Sequence, residues 1–363
     1  MTKRERYLKA LRNEQVDHLV WAPNFDYWYG INKAQGTLPD QYKDSSRDDI
    51  VRAIDATIWA RAGGIRIVYD SSVKVKNYKE GSETIDILET PIGTVRQVHV
   101  PTESKHSTAF LKEHFVKDLD SMKVMQYVVE SAHCEFDPEP AKQTLRNVGD
   151  DGIALAQVFC VPFIQFTKTD AGYENGLYMW MDYKEEVDKL CNAYQRLFLE
   201  GISLMADSCL DVISVNDNMD GVMISPEIFK EYAIPFYQEA RKIVNAKGKL
   251  FQGHWCGRTQ SLLPLVPECG LNIVEAIVSQ PMADISLNEA LDLLKGEVVM
   301  QGGIPAVIVC NEGGSYDDFV RYLREVIEPL KNRKGFILGM SDNVPPNADF
   351  KRIEKVAEIL NIK

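Results

Sequence analysis

Eight short apolar runs separated by helical stretches constrain this chain more than any other feature. They fall at 19–23, 65–69, 153–160, 212–215, 250–252, 273–276, 298–301 and 336–338. Each is continuous rather than alternating and mostly β-branched, as expected of strands buried on both faces of a parallel sheet. The spacing of apolar residues predicts helices at 47–62, 184–208, 226–246, 259–267, 287–294, 316–331 and 350–360, with another at 4–12 ahead of the first run. Ser225-Pro226-Glu227 reads as an N-cap followed by proline at the first helical position. Eight strand–helix units predict an α/β fold, a (β/α)8 TIM barrel. An open doubly wound sheet is the alternative, but the chain has no Gly-x-Gly-x-x-Gly turn. One segment breaks the rhythm: 84–100 alternates apolar and polar residues around Pro91-Ile92-Gly93. It predicts a β-hairpin inserted after the second strand, and helices over about 119–147 then return the chain to the barrel. The expected organisation is a single domain over 1–363 with a β-hairpin and helical insertion at about 71–150.

Charge narrows the function classes. Lys and Arg number 41 against 53 Asp and Glu, a net charge of −12. Non-specific nucleic-acid binding needs a basic footprint, so a nucleic-acid partner is not expected. No apolar window approaches the ~18 residues of a membrane span, so no membrane partner is expected either. The opening MTKRERYLKALRNE is charged and amphipathic, without the apolar core of a signal peptide. Seven widely spaced cysteines, an odd number, read as reduced thiols. Together these features predict a cytoplasmic protein.

In such barrels the chemistry sits at the C-terminal ends of the strands. The sharpest signal there is Gly253-His254-Trp255-Cys256-Gly257, directly after the 250–252 run. An imidazole and a thiolate two residues apart can face one cation, and zinc takes that pair readily. By softness Cys310, beyond Gln301-Gly302-Gly303-Ile304-Pro305, is the preferred third ligand. Glu275 and Asp342, each at a strand end, are further ligands or hydrogen-bonding acids. After 212–215 comes Asn216-Asp217-Asn218-Met219-Asp220; Asp217 is nearest the strand end and is favoured for acid–base work, with Asn216 beside it on substrate. The first run leads into Asn24-Phe25-Asp26-Tyr27-Trp28-Tyr29, the densest aromatic cluster in the chain. Phe25, Tyr27 and Tyr29 are expected to wall a flat apolar substrate, with Trp180 from a second aromatic cluster, and Asp26 is a second candidate acid.

Several of these segments together resemble the uroporphyrinogen decarboxylase superfamily. They are the opening Arg4-Glu5-Arg6-Tyr7-Leu8-Lys9-Ala10-Leu11, the helix start Ile224-Ser225-Pro226-Glu227-Ile228-Phe229 with Pro235-Phe236, the His254-Trp255-Cys256-Gly257 turn, and Gln301-Gly302-Gly303-Ile304-Pro305. The resemblance covers nearly the whole length and implies the same barrel. The superfamily's decarboxylases carry an arginine-rich motif after the first strand, where this chain has Asn24 to Tyr29 and no arginine. Its corrinoid-dependent methyltransferases carry zinc on a His-x-Cys…Cys motif. His254 and Cys256 match the first two ligands. The third position reads Ser341-Asp342-Asn343, so either Asp342 substitutes or Cys310 takes the role. The aromatic first loop and the turn look more like methyltransferases of bacterial O-demethylase systems, which act on phenyl methyl ethers such as veratrole, guaiacol and vanillate.

The resemblance therefore implies a zinc-dependent enzyme that moves a methyl group from a small donor to the Co(I) corrinoid of a partner protein docked at the barrel mouth. Asp217 or Asp26 would steer a proton. The chain has no Asp-x-His-x-x-Gly cobalamin-binding motif of its own. A homodimer is compatible with this reading. The alternatives are a metal-independent carboxy-lyase and a methylcobamide:thiol methyltransferase.

Overall fold

The computed structural model describes residues 1–102 and 109–362. Seven parallel strands form one curled sheet: β1 (Ile58–Arg61), β8 (Gly152–Gln157), β9 (Val212–Val215), β10 (Leu250–His254), β11 (Ile273–Ile277), β12 (Val299–Ile304) and β13 (Phe336–Met340). Neighbours in space follow chain order, as in a singly wound α/β barrel. At the open edges the 19–23 run lies between the first and last strands. Trp21 bridges Leu338 in parallel, and the Thr57 N–H donates to the Trp21 carbonyl at 2.7 Å. The architecture is a TIM-barrel-like α/β fold. Among the described residues no helix is long and apolar enough to cross a membrane.

Two expectations are corrected here. Residues 47–62 do not form one helix: the helix Arg47–Ala53 stops, and β1 of the barrel follows at once. The alanines and arginines of this stretch suit a helix, but Asp55 adopts a left-handed φ of 57°, which breaks it. The 65–69 run, expected as the second barrel strand, is β2 (Ile65–Tyr69) of a separate pair. It lies antiparallel to β7 (Ala132–Phe136), which interrupts the helical stretch expected over 119–147. A continuous apolar run marks a strand, not the sheet it joins, and β2 is only partly buried.

Between them the chain forms a four-stranded antiparallel sheet: β3 (Lys74–Glu80), β4 (Glu83–Thr90), β5 (Gly93–Val100) and β6 (Phe110–Glu113). β4 and β5 are the hairpin around Pro91-Ile92, with Thr90 paired to Gly93.

The barrel interior is layered. Its lower half is apolar: Val20, Trp59, Ile153, Leu155, Val212, Ile273, Val299 and Ile337 form one buried cluster. Helix Lys3–Leu11 closes this end with Tyr7 and Leu11, each 1% exposed. Thr2 and Glu5 cap it reciprocally. Further up, the inward positions turn polar: Ser214, Gln252, Glu275, Gln301 and Ser341 are all buried. Buried polar groups need partners. Gln252 donates to the Ser214 hydroxyl at 3.3 Å, and the Tyr7 hydroxyl reaches up to Gln301 at 2.7 Å. This polar layer is the platform on which the site stands.

Candidate metal centre

The Gly-His-Trp-Cys-Gly turn is held from three sides. The Trp255 N–H donates to the Glu275 carbonyl at 2.8 Å, and the Asn218 N–H donates to the His254 carbonyl at 3.1 Å. The Gly257 N–H donates to the Met219 carbonyl at 3.1 Å. A Cβ on Gly257 would sit 2.5 Å from that carbonyl oxygen, so only glycine fits. The Trp255 side chain points away from the cleft into the core, fully buried, and donates to the Tyr237 hydroxyl at 3.1 Å. One turn therefore sends Trp255 behind the sheet and leaves His254 and Cys256 facing the mouth.

There they meet Asp342, at the end of the last strand. One ligand atom each from His254, Cys256 and Asp342 lies within 4.8 Å of the other two. His254 Nε2 is 3.8 Å from Asp342 Oδ1. A tetrahedral zinc with bonds of about 2.0–2.3 Å would separate its ligand atoms by about 3.3–3.8 Å, so small side-chain adjustments would seat the ion. The donor set is one nitrogen, one sulfur and one oxygen, which suits zinc and leaves a coordination position open. The other ring nitrogen, Nδ1, is 2.5 Å from Glu275 Oε2. That carboxylate fixes the tautomer with Nε2 free, the outer-shell arrangement usual for a metal-bound histidine. In the metal-free state burial disfavours an imidazolium, but the charges at Glu275 and Cys256 outweigh it and hold the ring well above its ordinary pKa. Burial raises the Asp342 carboxyl, partly offset by His254.

Phe159 (φ 56°), Asn218 (φ 50°) and Ala276 (φ 66°) follow β8, follow β9 and lie within β11, all in the left-handed region without being glycine. Ala276 makes the register slip between Glu275 and Ile277 against β12. This bulge aims Glu275 at His254. Gly302 accommodates it, because a Cβ there would sit 3.1 Å from the Ile277 carbonyl oxygen.

A cleft of about 650 Å³ opens above the trio. Tyr27, Val278, Met282, Ala306 and Pro345 give it an apolar wall; Asp220, Arg258, Ser341 and Asn343 give it polar groups.

The remaining sequence candidates separate. Glu275 is brought in as partner of His254. Cys310 is not: it is buried, with its thiol against the Ala306 carbonyl and the Asn347 side chain, and it stands outside the trio. Asp217 does not reach the cleft. It is fully buried, accepting from the Val161 N–H at 2.8 Å and the Tyr237 hydroxyl at 2.6 Å. The turn at Asn218 sends Asp217 inward and Asp220 to the cleft, so proximity to the strand end is a poor guide. Asn216 is exposed and lines a separate cleft. Tyr27 lines the site. Phe25 is instead core, packed edge-on against Trp28 and Phe350. Tyr29 turns its hydroxyl to the Ser45 carbonyl. Trp180 packs on Phe163 and donates to the Tyr232 hydroxyl. Residues Asp26–Gln35 form a helix, whose periodicity turns some of these aromatic groups into the core. Asp26 is held between Arg47 and Arg61. Those two arginines are invisible to local reading, because they come from Arg47–Ala53 and from β1.

The family model described as uroporphyrinogen decarboxylase (URO-D) matches residues 163–361, more than half of the chain. The chain belongs to the uroporphyrinogen decarboxylase family. Within it, the matched stretch of this family member carries His254, Cys256, Glu275 and Asp342 together. No curated protein matches in sequence. Among solved structures, a methyltransferase from Methanosarcina mazei shares the fold over 100% of this chain and 99% of its own, at 11% identity and a TM-score of 0.64. D-psicose 3-epimerase from Clostridium cellulolyticum H10 overlaps 62% of this chain and 83% of its own at 11% identity, with a TM-score of 0.35, too low to carry an argument.

Proposed function

We propose that this protein is a zinc-dependent methyltransferase that moves a methyl group from a small donor, foremost an aryl methyl ether, to the Co(I) corrinoid of a partner protein. The observation that carries the reading is the convergence of nitrogen, sulfur and oxygen donors from His254, Cys256 and Asp342 under an open cleft. His254 would bind through Nε2, with Glu275 holding the other nitrogen; Cys256 would bind as the thiolate. The Asn343 amide donates to Asp342 Oδ1 at 2.9 Å and steadies that carboxylate. Bound zinc supplies a Lewis acid at the ether oxygen, which makes a phenolate a workable leaving group. The chain's own part is positioning. Tyr27, Val278, Met282, Ala306 and Pro345 would pack the donor's apolar body and keep water from the reacting face.

Two further observations favour methyl transfer over decarboxylation. Arg47, from the helix Arg47–Ala53, and Arg61, from β1, both pair with Asp26, and Arg47 also pairs with Asp48, which reduces the counter-charge offered to a polyanionic tetrapyrrole. Met282 on the cleft wall is exposed, as are Val222 (61% exposed) and Met223, which follow the cleft residue Asp220 in the chain, and such apolar groups suit a docking protein. The fold shared with a protein titled methyltransferase is consistent with the reading.

The test is metal analysis by inductively coupled plasma mass spectrometry, then methyl transfer from methoxyarenes to a reduced corrinoid protein. About one zinc per chain, lost together with transfer in Cys256→Ala, is expected. Transfer that survives in metal-free protein would refute the mechanism. Metal-free protein that decarboxylates would restore the lyase reading.

A further inference from the structure

A second cleft, of about 490 Å³, opens at the ends of β8 and β9. Its walls are Ile65 and Ile67 from β2, Val158 and Phe159 after β8, and Gln157, Gln165, Lys168 and Asn216. Three features give it a chemical preference. Lys168 is half-buried, and its ammonium group donates only to the Asn216 carbonyl at 3.3 Å. Among the described residues it has no carboxylate within ion-pair distance. The second feature is Gln157. Arg61 donates to its Oε1, and arginine carries donors alone, so the amide orientation is determined. Its Nε2 is thereby left buried without any acceptor. An orphaned buried donor is costly and calls for a partner. The third feature is the apolar side made by Ile65, Ile67, Val158 and Phe159. The other cation on the wall, Arg66, is exposed and paired with Glu135 at 2.5 Å. It supplies no free charge.

We infer that this cleft binds the carboxylate of a small organic acid with an apolar body. The carboxylate accepts from Lys168 Nζ and Gln157 Nε2, and the body packs on Phe159 and the two isoleucines. A carboxylate has the acceptor capacity these two donors lack, and a charge-assisted bond from lysine is the strong contact. The cleft belongs to the same barrel mouth as the metal trio. Arg61 donates to Gln157 and also pairs with Asp26, the chain neighbour of Tyr27 on the metal cleft's wall. The acid is therefore either the methyl donor itself, a methoxybenzoate rather than an uncharged methoxyarene, or a separate acid. Binding of the carboxylate does not depend on the metal reading.

The test is calorimetric titration of sodium benzoate into the whole protein. Saturable binding at one site per chain is expected, weakened about tenfold or more in Lys168→Met, the loss of one charge-assisted contact. Lys168→Arg should retain binding to within about threefold, which separates lost charge from lost fold. Benzamide should not bind, and Cys256→Ser should leave benzoate binding unchanged whether or not zinc is present. Absence of benzoate binding, or equal affinity in wild type and Lys168→Met, overturns the inference; loss of zinc in Cys256→Ser with benzoate binding intact bears on the metal alone. Two supporting patterns identify the source. Competitive inhibition by benzoate, with KM raised in Lys168→Met for methoxybenzoate but not for methoxybenzene, assigns the carboxylate to the donor. Non-competitive inhibition assigns it to a separate acid.

Discussion

Replacing Glu275 with glutamine tests how the trio is prepared for a metal. Glu275 and His254 are both buried, and the carboxylate lies 2.5 Å from Nδ1. Glutamine keeps the shape and can still accept a proton from Nδ1, but the bond loses its charge. A hydrogen bond to a charged partner contributes about 1.5–3 kcal/mol against about 0.5–1.5 for a neutral one, so the difference is about 1–1.5 kcal/mol. That corresponds to roughly tenfold in zinc affinity. If the amide instead turns its NH2 toward Nδ1, the tautomer reverses, Nε2 carries the proton and the loss approaches the upper end of the ~10–100-fold typical of such outer-shell partners. The assay is zinc competition against a chromophoric chelator at pH 7.5, with circular dichroism to show that the fold persists. A second readout is the visible spectrum of the cobalt-substituted protein, which changes if the ring reorients. Wild-type affinity with an unchanged cobalt spectrum would refute the claim that Glu275 orients His254.

Four other outcomes follow from the same geometry. Cys310→Ala should leave zinc content at the wild-type level while Asp342→Ala lowers affinity by at least about tenfold; chelator competition on both variants decides which is the third ligand. Gly257→Ala must displace the Met219 carbonyl, 2.5 Å from the new methyl, and should cost about 1–3 kcal/mol in urea unfolding along with most zinc binding. Binding should also weaken as pH falls, because the His254 proton, held well above its ordinary pKa without metal, has to leave; proton release on adding zinc is the measurement. Asp170 gives a stability test away from the site. Burial raises its carboxyl to about 7, despite the neighbouring Tyr194 and Gln165. Between its ordinary value of 3.8 and about 7 the unfolded chain is ionised and the folded one protonated, so stability falls as pH rises through that window by up to about 4 kcal/mol and then levels off. Asp170→Asn should flatten that slope in urea unfolding at pH 5 and pH 8; an unchanged slope would exclude Asp170 as its source.

The sequence alone determined those features that local chemistry decides. Short continuous β-branched runs suit strands buried on both faces, and six of the eight expected runs lie in the parallel sheet, with the 19–23 run bridging its edge. His-x-Cys after a strand is a two-residue geometry, and the intervening tryptophan turns away as alternation requires. Tertiary structure decided what depends on meetings between distant segments. Whether Cys310 or Asp342 joined the pair depended on how the chain leaves β12 and β13. A left-handed turn at Asn218 exchanged Asp217 for Asp220, and a helix at Asp26–Gln35 withdrew Phe25 from the mouth. Arg47 and Arg61 reached Asp26 from 21 and 35 residues away, and Gln157 met Arg61 across 96. Strand type is written in nearest neighbours, because side-chain burial alternates or persists residue by residue. A coordination set or a charge balance is a sum over atoms that share a volume, and only the closed barrel brings them into one.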